Sequence, residues 1–371
     1  YQVTGYKWLR TLAENELGGI LADDMGLGKT LQSIVFIASG LVESRDNNEV
    51  SPHYLIVCPT SLTYNWLDEF ENFTPFIKAK VVSGTPVERK EIIEQYEKYN
   101  VLITSYPLIR RDIKSYEAIN FNTVFIDEAQ FIKNNLSQNA KSVKRLKAKH
   151  KFALTGTPIE NSLSELWSIF DFILPGYLHS HNRFVEMYEK PILKDDKETL
   201  EELNQHISPF ILRRMKKDVL TELPDKHETK MLTELSEKQK KIYMSYLANI
   251  KSDIHSELSE GDFNKSRMKI LAALTRLRQI CCHPSTFLEN YQGGSGKLDL
   301  LMELIPEAIS NEHRILVFSQ FTSMLRIIEE ELKDMNISYF YLEGSTPTQE
   351  RNALVKRFNN GEGSVFLISL K

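Results

Sequence analysis

Asp23-Asp24-Met25-Gly26-Leu27-Gly28-Lys29-Thr30 is the stretch on which the fold turns. Gly26 and Gly28 carry no side chain, so backbone N–H groups there can curl around phosphate oxygens. A short apolar run, residues 18–22, precedes the loop, and residues 31–37 are apolar at helical spacing after it. Strand, glycine loop and helix is the order a phosphate-binding loop requires, with the helix N-terminus turned toward the anion. In that arrangement Lys29 reaches the terminal phosphates and the Thr30 hydroxyl ligates Mg²⁺. One position departs from the usual pattern: Asp23 stands where the first glycine is expected. Taken alone, the loop also reads as an ordinary glycine turn before a helix.

The segment Val124-Phe125-Ile126-Asp127-Glu128-Ala129-Gln130 weakens that second reading. Its first three residues form a buried-strand run that ends in two carboxylates. Asp127 is placed to hold Mg²⁺ and Glu128 to orient or deprotonate an attacking water. Further apolar runs at 54–58, 101–104 and 152–155 alternate with helical patterns at 62–73 and 87–99. Strands alternating with helices predict a parallel sheet covered on both faces, whose ligands bind at the carboxyl ends of the strands. The loop, Asp127 and Thr155 all fall at such ends.

Asp127-Glu128-Ala129-Gln130, together with motifs along nearly the whole chain, makes a family recognisable. Among them are Cys58-Pro59-Thr60-Ser61-Leu62 with Trp66, Ile103-Thr104-Ser105-Tyr106 and Leu154-Thr155-Gly156-Thr157-Pro158. Leu212-Arg213-Arg214-Met215-Lys216-Lys217, Val317-Phe318-Ser319-Gln320-Phe321 and Leu342-Glu343-Gly344-Ser345-Thr346 follow. The chain resembles the Swi/Snf-type ATPases, double-stranded-DNA translocases of helicase superfamily two. The resemblance implies an α/β fold: a RecA-like parallel-sheet lobe with helical insertions and the beginning of a second RecA-like lobe. It implies ATP and Mg²⁺ as cofactors, with ATP bound between lobes. Gln2 matches the glutamine that reads adenine, and Asp24, Met25, Gly26, Leu27, Gly28, Lys29 and Thr30 match the nucleotide loop. Lys29, Asp127, Glu128 and Gln130 match the catalytic positions, with Thr30 and Asp127 on the metal. Gln130, Thr155 and Thr157 match residues that couple hydrolysis to DNA, although histidine is more usual at position 130. Pro59, Thr60, Ser61, Thr104, Ser105, Tyr106, Arg213, Arg214, Gln320, Gly344 and Ser345 match DNA contacts.

The implied activity is a motor that hydrolyses ATP to ADP and phosphate, moves on duplex DNA and remodels DNA-bound proteins. Contacts of this kind favour phosphates over base edges. A strand-separating helicase, an RNA-dependent ATPase and a nucleotide-gated docking module are the rival readings. Double-stranded DNA is the expected partner, with RNA polymerase or another DNA-bound protein as a further one, and the chain is expected to be a monomer. A bacterial source is expected. The location is then cytoplasmic and nucleoid-associated, or nuclear in a eukaryote. The family also carries a later Gln-x-x-x-Arg-x-x-Arg segment whose arginines resemble arginine fingers. It does not occur in these 371 residues, so this stretch alone is expected to bind nucleotide and hydrolyse it weakly.

Composition is consistent with this. Hydrophobic residues make up 42% of the chain, enough for sizeable cores, and no apolar run approaches the roughly 20 residues needed to cross a bilayer. Three cysteines, two of them adjacent, do not make a disulfide framework. Cys281, Cys282 and His283 lack zinc spacing. The net charge of −4 argues mildly against nucleic acid, but phosphate contacts are local. Two basic stretches are candidates for them: Lys141, Lys144, Arg145, Lys147, Lys149, His150 and Lys151, and Arg213, Arg214, Lys216 and Lys217. Either also reads as a solvated helix face.

Four segments are expected: a first lobe over 1–178, a helical protrusion and linker over 179–226, a helical insertion over 227–292 and a partial second lobe over 293–371. Gly293-Gly294-Ser295-Gly296-Lys297 imitates a phosphate loop. No strand precedes it and no hydroxyl follows the lysine, so it reads as a flexible joint before a helix.

Overall fold

Short apolar runs build the strands of the first sheet: β1 (Gly19–Leu21), β2 (Tyr54–Cys58), β3 (Ala79–Val81), β4 (Val101–Ser105), β5 (Asn120–Asp127), β6 (Lys147–Leu154) and β7 (Ile211–Leu212). Every residue of β2 and β4 is buried, as a strand covered on both faces requires. Seven helices carry the connections used below: α1 (Gln2–Glu14), α2 (Lys29–Asp46), α3 (Thr63–Phe73), α4 (Pro86–Glu94), α5 (Tyr106–Tyr116), α6 (Gln138–Lys144) and α7 (Leu163–Ile173). The computed structural model describes residues 1–156, 162–220, 222, 227–260 and 263–370, and within these all side chains but those of 252–267 and 348–349. Thr157, expected to couple hydrolysis to DNA, lies outside the described residues.

The seven strands are ordered β3-β4-β2-β5-β6-β1-β7 and every pairing is parallel. Register decides where the loops emerge. Leu21 lies opposite Leu154, Leu154 opposite Asp127, and Cys58 opposite Ser105. The segments that leave β1, β2, β4, β5 and β6 therefore collect along one edge. Phe36 of α2 packs edge-on against Phe125 and Phe152, with centroids 5.7 and 5.5 Å away, and locks that helix onto the middle of the sheet. Trp167, Phe170 and Phe172 of α7 are buried in the same core.

The chain packs as two units, Tyr1–Pro224 and Asp225–Lys371. The first includes the helical stretch after residue 179 and β7, which pairs with β1 as a strand of the sheet. The second holds two long helices, Glu237–Glu260 and Phe263–Cys282, and a parallel sheet of β8 (Ile315–Ser319), β9 (Tyr339–Leu342) and β10 (Val365–Ser369) in the order β8-β10-β9. Here the expected joint at 293–297 is packed rather than flexible. Ser295 is fully buried, its hydroxyl donating to the Cys282 carbonyl at 2.5 Å. A Cβ on Gly296 would come within 2.1 Å of the Glu234 carbonyl oxygen.

Candidate functional site

The loop after β1 turns because Gly26 and Gly28 adopt left-handed φ of 86° and 74°. Gly28 is the N-cap of α2, and a Cβ there would lie 2.5 Å from the Gln2 amide nitrogen. The turn therefore needs glycine on both conformational and spatial grounds. It also places Gln2 of α1 directly beside the loop. Lys29 donates through Nζ to the carbonyls of Asp23 at 2.6 Å and Asp24 at 3.4 Å. Burial pulls its pKa below the ordinary lysine value, against the opposing pull of Asp127, Glu128, Asp23 and Asp24.

Asp23, the residue that broke the sequence pattern, is fully buried and paired. Arg214 grips it with two donors, Nε to Oδ1 at 2.9 Å and Nη2 to Oδ2 at 2.5 Å. The same guanidinium donates to Gln32 Oε1 at 2.9 Å and to the Tyr1 carbonyl. Backbone bonds extend the strap, Ala22 N–H to the Leu212 carbonyl at 2.7 Å and Asp24 N–H to the Arg214 carbonyl at 3.0 Å. Arg214 was expected on DNA. Its side chain instead braces the loop from inside, because a buried carboxylate requires a charged partner. Arg213, next to it, is exposed.

Asp127 ends β5 and is 8% exposed. Its Oδ1 accepts from the Glu128 N–H at 2.9 Å and its Oδ2 from the Trp66 indole Nε1–H at 3.0 Å. Burial raises its pKa to about 6, the Trp66 hydrogen bond holding it down and the Glu128 charge adding to the rise. Glu128 sits in the left-handed region at φ 52°, an uncommon conformation for a non-glycine residue and one found at functional turns. Gln130 donates to Glu128 Oε2 at 2.7 Å and accepts from the Thr155 hydroxyl at 3.3 Å. The second acid, Gln130 and the end of β6 thus form one hydrogen-bonded chain.

Met25, Gly26, Gly28, Lys29, Thr30, Asp127 and Glu128 share one cavity of about 380 Å³. A lysine, a hydroxyl and two carboxylates converge there from separate loops. Thr30 and Asp127 offer hard oxygen donors, few enough to suit a cation that keeps waters and takes its other ligands from phosphates. Among the described residues no cluster of three or more His, Cys, Asp or Glu could hold a metal on its own. The donor set therefore fits Mg²⁺ bound together with a nucleotide.

The residues expected on DNA divide. Thr60 and Ser61 are exposed on the turn between β2 and α3, and Pro59 is half-buried beside them. Thr104, Ser105 and Tyr106 are buried. Their side chains face the interior at the start of α5, so they present no surface to a strand. Tyr106 instead donates its hydroxyl to the Asp127 carbonyl at 2.7 Å and stacks on Phe131 with centroids 5.0 Å apart. In the second unit Gln320 is half-buried in a cavity of about 490 Å³ with Arg278 and Lys297, while Gly344 and Ser345 are exposed after β9. The basic stretch 141–151 is mixed, with Lys141, Lys147 and Lys149 exposed. Lys144 pairs with Asp171 at 2.8 Å, Arg145 with Glu117 at 2.6 Å, Lys151 lies over Phe172 and His150 is buried. Its β6 residues also begin at the opposite edge of the sheet from Asp127.

Sequence reading missed the roles of Trp66, Asp23 and Tyr106. Trp66 lies with Thr63 and Phe70 on the buried stripe of α3, the pattern of ordinary core, so spacing carried no signal for its hydrogen bond.

Comparison with known proteins agrees with this geometry. Residues 1–286 match the SNF2-related domain and residues 296–371 the helicase conserved C-terminal domain. An uncharacterized ATP-dependent helicase of Mycoplasma pneumoniae is 40% identical over the whole of this chain and 35% of its own length. The putative ATP-dependent helicase/translocase YwqA of Bacillus subtilis is 37% identical over the whole chain and 40% of its own. The chain thus spans little more than a third of the length of these curated relatives. The Sulfolobus solfataricus SWI2/SNF2 ATPase core, solved in complex with dsDNA, is 36% identical with a TM-score of 0.57, covering all of this chain and 77% of that one. No helix among the described residues is long and apolar enough to cross a membrane. Loop, acidic pair and two parallel sheets, matched from end to end by these relatives, make the chain a member of the SNF2-related family.

Proposed function

We propose that this chain is the ATP-hydrolysing core of a motor that translocates on double-stranded DNA and remodels proteins bound to it. The observation that carries the proposal is the single cavity shared by Lys29, Thr30, Asp127 and Glu128. Lys29 binds the β and γ phosphates, exchanging the loop carbonyls that its ammonium now contacts for anionic oxygens. Gln2, packed on Gly28, reads the adenine edge. Thr30 and Asp127 hold Mg²⁺, which when bound neutralises charge on the phosphate oxygens. Glu128 orients the attacking water and takes its proton. Gln130 and Thr155 carry the state of Glu128 to the end of β6, where hydrolysis is coupled to DNA.

Thr60 and Ser61, Arg213, Gln320, Gly344 and Ser345 contact DNA, mainly at phosphates, and Pro59 shapes the first of these turns. The complex of the Sulfolobus core with dsDNA supports this choice of partner. RNA polymerase or another DNA-bound protein is the cargo. The test is made on the full-length protein: ATPase with and without duplex DNA, beside triplex displacement and duplex unwinding. DNA-stimulated hydrolysis with triplex displacement and no unwinding is expected. Unwinding would favour a strand-separating helicase, stimulation by RNA alone an RNA-dependent ATPase, and no stimulated hydrolysis a docking module.

A further inference from the structure

The indole of Trp66 is 2% exposed, and its single polar atom donates to Asp127 Oδ2 at 3.0 Å. Trp66 comes from α3, which starts immediately after the exposed turn at Thr60–Leu62. It reaches across 61 residues of sequence to the carboxylate at the end of β5. The other carboxylate oxygen accepts the Glu128 N–H at 2.9 Å. Each oxygen is thus held by one donor and keeps lone-pair capacity for another ligand. Without the indole only the Glu128 N–H would hold the carboxylate, leaving it freer to rotate about its last bond.

We infer that Trp66 is a positioning residue for metal binding: its indole N–H fixes the Asp127 carboxylate in the orientation that takes Mg²⁺ with the nucleotide. The inference rests on the reading of Lys29, Thr30 and Asp127 as a nucleotide and Mg²⁺ site. Partners that orient a ligating side chain typically change metal affinity by about 10- to 100-fold when removed. Phenylalanine keeps an aromatic ring there without the N–H, and binding of nucleotide without metal reads any loss of packing separately.

The experiment uses full-length protein and a fluorescent ATP analogue, titrated with Mg²⁺ at fixed nucleotide and, separately, with nucleotide in EDTA. Trp66→Phe is expected to raise the Mg²⁺ concentration for half-maximal tight binding about tenfold. Metal-free nucleotide binding should stay unchanged. A structural role alone would weaken both together. An unchanged Mg²⁺ midpoint in a folded Trp66→Phe protein overturns the inference while leaving the nucleotide site standing. Absence of nucleotide binding in the unsubstituted protein would instead overturn the site reading itself. Should Trp66→Phe fail to fold, ¹⁵N-tryptophan labelling of the unsubstituted protein decides. The Trp66 indole N–H should exchange slowly and shift when Mg²⁺ is added to the nucleotide-bound protein, with the Trp8 and Trp167 indoles unmoved. A Trp66 indole that exchanges freely, or that ignores Mg²⁺, overturns it equally.

Discussion

Two places in this chain set a lysine after a glycine at the start of a helix, Gly28-Lys29 and Gly296-Lys297. Their glycines answer different demands. Gly28 has a left-handed φ of 74° and lets the loop curl, whereas Gly296 is needed because the Glu234 carbonyl leaves no room for a Cβ. Their surroundings differ more. The first turn follows β1, an interior strand of the sheet, and β5, two strands away across β6, brings Asp127 and Glu128 into its cavity. The second follows the helix Phe263–Cys282, Ser295 is tied to the Cys282 carbonyl, and Lys297 is exposed. A glycine-lysine turn is half a site. A parallel strand ending in acids at the same edge of the sheet supplies the rest.

The largest test of that contrast is Glu128→Gln, which removes the base beside the first turn and leaves the lysine. Turnover in the full-length protein should fall by roughly 10²- to 10⁴-fold with nucleotide affinity retained. Unimpaired hydrolysis would remove Glu128 from the reaction. Next comes the lysine pair. Lys29→Ala should weaken nucleotide binding by roughly 10- to 100-fold, the worth of charge-assisted hydrogen bonds, while Lys297→Ala leaves it unchanged. Equal effects in a binding titration would erase the distinction between the two turns.

The glycine pair sharpens it further. Gly28→Ala should cost about 1–2 kcal/mol in a left-handed turn and should also displace Gln2, impairing both stability and nucleotide binding. Gly296→Ala should cost about 1–3 kcal/mol through overpacking and leave binding intact. Thermal denaturation and nucleotide titration of the two variants read both outcomes.

The smallest expected effect is in pH. Asp127 holds its proton up to about 6 when folded, whereas the unfolded chain releases it near 3.9. The protonated folded form is therefore the favoured one, and this contribution to stability is present below about 4 and lost as pH rises through about 6. Metal compensates the ionised form only. Stabilisation by Mg²⁺ with nucleotide should be larger at pH 7.5 than at pH 5.5, read as the shift in Tm. A shift independent of pH would mean that Asp127 carries no proton in that range.

The residues expected on DNA differ in exposure. Thr60 and Ser61 are exposed as expected, but Thr104, Ser105 and Tyr106 turn inward. All lie at or just beyond the carboxyl ends of parallel strands, and such segments look alike in sequence. Which of them meets solvent depends on how the next helix leaves the sheet. α5 begins at Tyr106 itself and buries it against Asp127, whereas α3 begins after an exposed turn. The basic stretches show the same limit, since Lys144, Arg145 and Arg214 find acids far away in the chain.

The sequence by itself determined the parallel α/β lobe, the phosphate loop and the acidic segment. These are written locally: glycine allows a turn that other residues resist, and an apolar run ending in carboxylates is a strand end whatever surrounds it. Tertiary structure alone decided that Arg214 lies on Asp23 across 191 residues, that Trp66 lies on Asp127, and that Tyr106 faces inward. Those contacts depend on strand order and register, which bring distant segments together without any signal at the residues that finally touch.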